Sequence, residues 1–131
     1  MQQYLNLKID NELCIISGYS DSHMYILGEF FRCEVGKVID YWINWLGNDT
    51  KLAICGNWIW LDKIDSDYVV MGDGTMEPYD GVSELSSSFL LIKKIDLIKL
   101  LIVWGKLCSS EWKEIKITKD NENFEMFVNK Y

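Results

Sequence analysis

At 131 residues, with 49% apolar and 14% aromatic side chains, the chain has the size and composition of one ordered globular domain, spanning residues 1–131, and not of a disordered segment. A net charge of −7 and a pI near 4.6 argue against nucleic acid or an anionic membrane as partner, and fit a basic partner or plain solubility. The polar, alternating start MQQYLNLKID lacks a secretory signal, and no stretch supplies the roughly 20 uncharged apolar residues of a membrane span, so a cytoplasmic protein is expected.

The chain opens on strand signals. Residues 4–9 alternate, with Leu5, Leu7 and Ile9 on one face and Asn6 and Lys8 on the other. Asp10-Asn11 marks a turn into a short apolar strand, 13–17. Residues 18–22 form a second turn. Residues 24–31, apolar on both faces, read as the central third strand of a meander. The first helix is expected over 34–46. Val35, Val38, Ile39, Trp42 and Leu46 follow an i, i+3, i+4, i+7, i+11 spacing; Tyr41 and Trp45 widen the stripe. Gly47-Asn48 supplies its stop. Residues 52–61 and 68–71 favour strands. Residues 72–88, rich in glycine and serine and holding the only proline, read as a long loop, a feature often tied to function.

A short strand, 89–92, leads into the most apolar run of the chain, residues 96–108. At helical spacing Asp96, Lys99 and Lys106 share one narrow stripe, and Leu97, Ile98, Leu100, Leu101, Ile102, Trp104 and Leu107 cover the rest. A helix apolar over so wide an arc belongs in the core. Asp96 is suited to cap its N-terminus. Gly105, on the apolar side, costs about 1 kcal/mol against Ala and implies a close approach of helix and sheet. Strands 114–118 and 124–128, joined at 120–123, make a C-terminal β-hairpin. The fold class is α+β: a mostly antiparallel sheet packed against two main helices, about 34–46 and 96–108.

Catalytic chemistry has little material. His23 is the only histidine and stands beside a turn, where a structural role is expected. Cys14, Cys33, Cys55 and Cys108 are widely spaced, with no C-x-x-C pair, and read as buried reduced thiols. No phosphate loop, nucleophile elbow, dinucleotide fingerprint or calcium loop is present. Paired carboxylates for glycoside hydrolysis rest only on chance proximity among 20 acidic residues. No catalytic residue, cofactor or metal is assigned.

Charge is more informative. Asp62, Asp65, Asp67, Asp73, Glu77, Asp80 and Glu84 are offset by Lys63 alone, so nearly all the excess negative charge lies in residues 62–84. Tyr68, Met71, Met76 and Tyr79 are interleaved with the acids. Such a segment serves solubility alone, or docks a basic protein: carboxylates steer a cationic partner, and aromatics anchor it. On the second reading the partner-binding residues are these seven acids with Tyr68 and Tyr79. Trp58 and Trp60, just before the segment, are further candidate anchors, with at least one expected in the core.

Residues 88–128, SFLLIKKIDLIKLLIVWGKLCSSEWKEIKITKDNENFEMFV, resemble the closing segment of small immunity proteins of bacterial polymorphic toxin and contact-dependent growth inhibition systems. The resemblance is carried by a helix of form xLxxLxxxWxxL followed by a strand EIxIxxD. The matching residues are Leu97, Leu100 or Leu101, Trp104, Leu107, Glu114, Ile115, Ile117 and Asp120. It covers about 40 residues and carries no catalytic signature. It implies a cytosolic antidote that binds one cognate toxin protein, often a nuclease, and neutralises it by occlusion. The other readings are a different acidic binding module, such as a nucleic-acid mimic or a phage or host regulatory protein, and an apolar-ligand binder with a cavity lined by Trp58 and Trp60.

Reversal of Asp65, Asp67 and Asp80 to Lys is expected to leave folding intact, within about 0.5 kcal/mol per site, and to slow partner association. Binding kinetics measured against salt check this.

Overall fold

A computed structural model describes residues 2–36, 38–48, 54–55, 58–77, 79, 85–108, 112–121 and 123–129. The first hairpin joins β1 (Gln3–Asp10) to β2 (Leu13–Tyr19). Its two-residue turn places Asn11 and Glu12 at φ of 50° and 67°, the left-handed geometry whose twist suits a tight hairpin. The last hairpin joins β7 (Glu114–Asp120) to β8 (Asn123–Asn129). The two hairpins meet through antiparallel pairing of β1 with β7, from Gln3 opposite Lys119 to Lys8 opposite Glu114. This makes a four-stranded sheet of order β2-β1-β7-β8. A second antiparallel sheet, of order β3-β4-β5-β6, is built from β3 (Ile54–Cys55), β4 (Ile59–Lys63), β5 (Tyr68–Asp73) and β6 (Leu90–Lys93). The α+β class holds, with two antiparallel sheets and not one.

The third strand of the expected meander is a helix. Helix α1 spans Ser22–Glu29 and continues into a π-helical segment, Phe30–Val35. Asp21 starts it, accepting from the backbone N–H of Met24 at 3.2 Å. Burial alone would raise the Asp21 carboxyl. Hydrogen bonds from Gln3, Met24 and Ser20 outweigh burial and hold it below the usual range. The reason for an all-round apolar pattern lies in position: α1 packs on β1 and β2 of one sheet and on β5 and β6 of the other. Met24, Ile26, Leu27, Phe30 and Phe31 are fully buried, each worth about 1.5–3 kcal/mol of apolar transfer. A short run buried on two sides looks alike as strand or helix.

The helix expected over 34–46 is interrupted. Gly36 ends the π-helical segment, its N–H donating to Phe31 O at 3.1 Å. Its φ of 49° and ψ of −113° lie where a β-carbon is not tolerated. Helix α2 begins afresh at Ile39–Gly47. Trp42, Trp45 and Leu46 face inward as expected, while Val38 and Tyr41 are exposed.

Helix α3, Lys94–Cys108, buries Leu97, Leu100, Leu101, Trp104 and Leu107. It is not buried all round, because Ile95 and Ile102 face solvent. Its first N–H, from Lys94, donates to the Asp67 carbonyl at 2.7 Å. Asp96 sits within the first turn, where it complements the helix dipole, and not at the cap. Trp104 packs on Phe31 and Trp112, with ring centroids at 5.2 and 6.1 Å, and donates Nε1–H to Gly36 O at 2.8 Å. Gly105 approaches Ile39 of α2, not a sheet. Among the described residues no helix is long and apolar enough to cross a membrane.

Two glycines on helices should respond oppositely to an added methyl. At Gly28 it would stand 2.9 Å from Leu5 Cδ1 and Ile16 Cδ1, where α1 rides on the first sheet. Gly28→Ala is expected to destabilise by about 1–3 kcal/mol through overpacking. At Gly105 the methyl would meet Ile39 at an ordinary 3.6 Å, so Gly105→Ala should gain up to about 1 kcal/mol of helix propensity. Urea unfolding midpoints check both, and a shift of the same sign in the two variants would contradict this packing.

Candidate docking site

The acidic segment is mounted on the β4–β5 hairpin, whose register runs from Lys63 opposite Val69 to Ile59 opposite Asp73. The hairpin divides the segment between its two ends. At the tip lie Asp62, Asp65, Asp67 and Tyr68. Asp65 Oδ1 accepts from the backbone N–H of Asp67 at 2.7 Å and of Tyr68 at 2.9 Å. It therefore shapes the turn. Reversing it to Lys removes both bonds, so the neutral effect on folding expected at this position does not hold. Tyr68 pairs with Lys93, and Asp67, Tyr68, Lys93, Lys94, Ile95 and Ile98 line an open cleft of about 560 Å³. Lys93 and Lys94 thus stand beside Asp67, while Lys63, next to Asp62, turns its ammonium to Asn48 O and the Trp45 ring.

Asp73 lies at the other end, six residues along β5 from Asp67. At about 3.3 Å per residue the two are roughly 20 Å apart. Asp73 Oδ1 accepts from the N–H of Thr75 at 2.8 Å and orders the turn after the strand. Glu77 is exposed and Tyr79 half-buried in the following loop. Asp80 and Glu84 lie outside the described residues. The loop is tied to the core at both sides: Trp60 donates Nε1–H to Met76 O at 3.2 Å, and His23 Nε2 meets Ser87 O at 2.7 Å. Met71 is in the core and Met76 packs against it. Of the two candidate tryptophan anchors, Trp60 is buried and Trp58 is 61% exposed.

Three exposed aromatics lie on the chain segments that reach this far end: Trp58, Tyr19 and Tyr25. Gly74, next to Asp73, donates its N–H to the Trp58 carbonyl at 2.8 Å. Asp73 also lies within electrostatic reach of Tyr25, whose ring is 5.1 Å from that of Tyr19. Glu29, one helical turn after Tyr25, has the largest influence on its phenol and, with burial, pushes it above the ordinary tyrosine range. Glu34 reaches across from the π-helical segment. Its Oε1 accepts from the N–H of Trp58 at 2.7 Å and of Ile59 at 3.2 Å. The cation of this group is Arg32, held by both oxygens of the buried Glu29 at 3.0 and 3.1 Å. Among the described residues, Glu29, Glu34, Asp73 and Glu77 against Arg32 leave this end negative, whereas at the tip Lys93 and Lys94 line the cleft with Asp67. Residues 18–31, read as turn and core strand, gave no sign that Tyr19 and Tyr25 would be exposed beside Asp73; only helical spacing, which puts Tyr25 and Glu29 on one face, would have hinted at part of it.

Among the described residues no group of three or more His, Cys, Asp or Glu side chains is placed to hold a metal ion. Comparison with family models, curated proteins and solved structures gives no match to this chain.

The same cluster sets the chemistry of one thiol. Burial, a hydrogen bond from Cys33 Sγ to Glu29 Oε2 at 3.3 Å and the Glu29 charge push the Cys33 thiol up to about 11. Cys33 should remain protonated at neutral pH. Its alkylation by iodoacetamide, followed in a variant with the other three cysteines changed to Ser, should be about tenfold slower than that of a solvated cysteine, after allowance for the greater nucleophilicity of a high-pKa thiolate. A rate equal to that of free cysteine would contradict the Glu29 contact.

Proposed function

We propose that this chain is an acidic protein-docking module and, more specifically, an immunity-type antidote. It acts in the cytoplasm and neutralises a cognate basic toxin domain by covering its working surface. A nuclease is the clearest case, because its nucleic-acid surface is basic. The observation that carries the proposal is the far end of the β4–β5 hairpin, where Asp73 lies within electrostatic reach of exposed Tyr25 and the adjacent Gly74 bonds the backbone of exposed Trp58. Aromatic side chains at the centre of a patch and charge at its rim are the ingredients of tight, steered association. The resemblance of residues 88–128 to immunity proteins supports the same reading independently.

The magnitudes are compatible. A standard interface buries about 800 Å² per partner, and the chain exposes 7833 Å², so about a tenth of its surface would suffice. Nanomolar neutralisation needs about −12 kcal/mol. Occlusion asks for no reacting group on the antidote. An acidic nucleic-acid mimic is less well supported. The described carboxylates of the segment fall into two groups with buried Val69, Val70 and Met71 between them, not into a row at phosphate-like spacing.

The test is co-expression with a toxin domain, taken from the C-terminus of a large secreted protein where one is encoded beside this chain's gene. That domain alone should kill the host cell, and this chain should restore growth. Growth arrest that persists despite soluble antidote would sink the proposal. With the purified pair, Glu77→Lys should slow association several-fold at low salt, and Asp67→Lys, beside Lys93 and Lys94, should slow it less. The reverse order would move the docking face to the tip.

A further inference from the structure

Trp58 stands apart from the five other tryptophans. Trp42, Trp45, Trp60, Trp104 and Trp112 are all buried, and Trp42, Trp60 and Trp104 donate their indole N–H to backbone carbonyls. The Trp58 side chain faces solvent although its backbone is held on two sides. Its N–H donates to Glu34 Oε1 at 2.7 Å, and its carbonyl accepts from Gly74 N–H at 2.8 Å. The next residue, Ile59, is bound by the same Glu34 oxygen, pairs with Asp73, and is buried. The main chain is thus already ordered in the free protein while the largest apolar side chain of the segment is offered outward.

That combination suits an anchor. Ordering a contact residue is among the main costs of association, and backbone ordered beforehand removes part of it. Tryptophan is the residue most enriched where binding energy concentrates. Its π face also attracts cations, and the Glu34 carboxylate lies against its backbone.

We propose that Trp58 is the pre-ordered anchor of the docking face, and that it seats in an apolar pocket bordered by lysine or arginine on a basic protein surface. Glu34 is a positioning residue: it holds the backbone of Trp58 and adds charge beside it. This assignment rests on the docking function proposed above and names the residue at its centre.

The first experiment needs no cognate partner. The ¹⁵N-labelled protein is titrated with an octa-arginine peptide and, separately, with octaglutamate, while the indole N–H resonances are followed; Trp58→Phe identifies the Trp58 signal. Octa-arginine should shift that signal and added salt should reverse the shift, whereas octaglutamate should leave it in place. Glu77→Gln should weaken the arginine peptide about threefold, the size of a partly screened charge contact. Glu34→Gln, which keeps the acceptor oxygen, should retain the fold and weaken the peptide similarly. A shift confined to the amides of residues 65–68, or equal shifts with both peptides, would overturn the assignment. In the co-expression assay a folded Trp58→Ala variant should lose protection, with about thirtyfold weaker binding of the toxin domain. Protection that survives Trp58→Ala would remove the anchor and keep the antidote. Absence of protection by the unaltered chain would remove the antidote, and the peptide titration would still decide the anchor's preference for a basic surface.

Discussion

The burial of α1 between two sheets is the constraint on which the remaining structure depends. Its apolar side chains face β1 and β2 on one side and β5 and β6 on the other, so neither sheet has a complete core without it. Gly28 permits the approach on the first side, where a β-carbon would collide with Leu5 and Ile16. The π-helical continuation carries Phe30 and Phe31 into the aromatic centre, edge-on to one another at 5.4 Å and against Trp42 and Trp104. Helices α2 and α3 pack around that centre.

Indole N–H groups convert this apolar centre into a means of holding irregular chain. A buried N–H must find an acceptor, and the carbonyls available are those of turns. Trp104 holds the Gly36 turn, Trp42 the carbonyl of Glu34, and Trp60 the loop at Met76. Glu34 does the same work from the carboxylate side by binding two consecutive N–H groups at the start of β4. The candidate docking end is therefore assembled from three stretches distant in sequence, near residues 19–34, 58–59 and 73–77. Each is fixed by a polar bond to the core or to a neighbouring turn.

The separation of charge follows from the same geometry. A five- to six-residue antiparallel hairpin places Asp62, Asp65 and Asp67 at one end of the sheet and Asp73 at the other. Lys93 of β6 and Lys94 of α3 stand at the first end, because β6 pairs with β5 in the register that sets Lys93 against Tyr68. Among the described residues the far end is the more negative of the two. Aspartates at both ends also order their own turns, so part of the acidity is structural.

Much of the fold was legible in the sequence. Alternation marked β1, β7 and β8, the Asp10-Asn11 signal marked the first hairpin, and helical spacing marked α3 and the inner face of α2, because strand and helix periods are local properties of a half-buried element. Residues 24–31 were not legible, since an element packed against two sheets keeps too narrow a polar face, Tyr25 and Glu29, to show a period. Nor was the break at Gly36, where one left-handed residue interrupts an otherwise regular apolar spacing. At the site, the sequence determined that negative charge concentrates in residues 62–84 beside exposed-type aromatics. Tertiary structure alone decided that the first and last hairpins join into one sheet, that the described acids part into two groups, and that Asp73 comes within electrostatic reach of Tyr25 while its neighbour Gly74 bonds the backbone of Trp58. Those juxtapositions depend on strand register and helix docking between residues tens of positions apart, which no local pattern encodes.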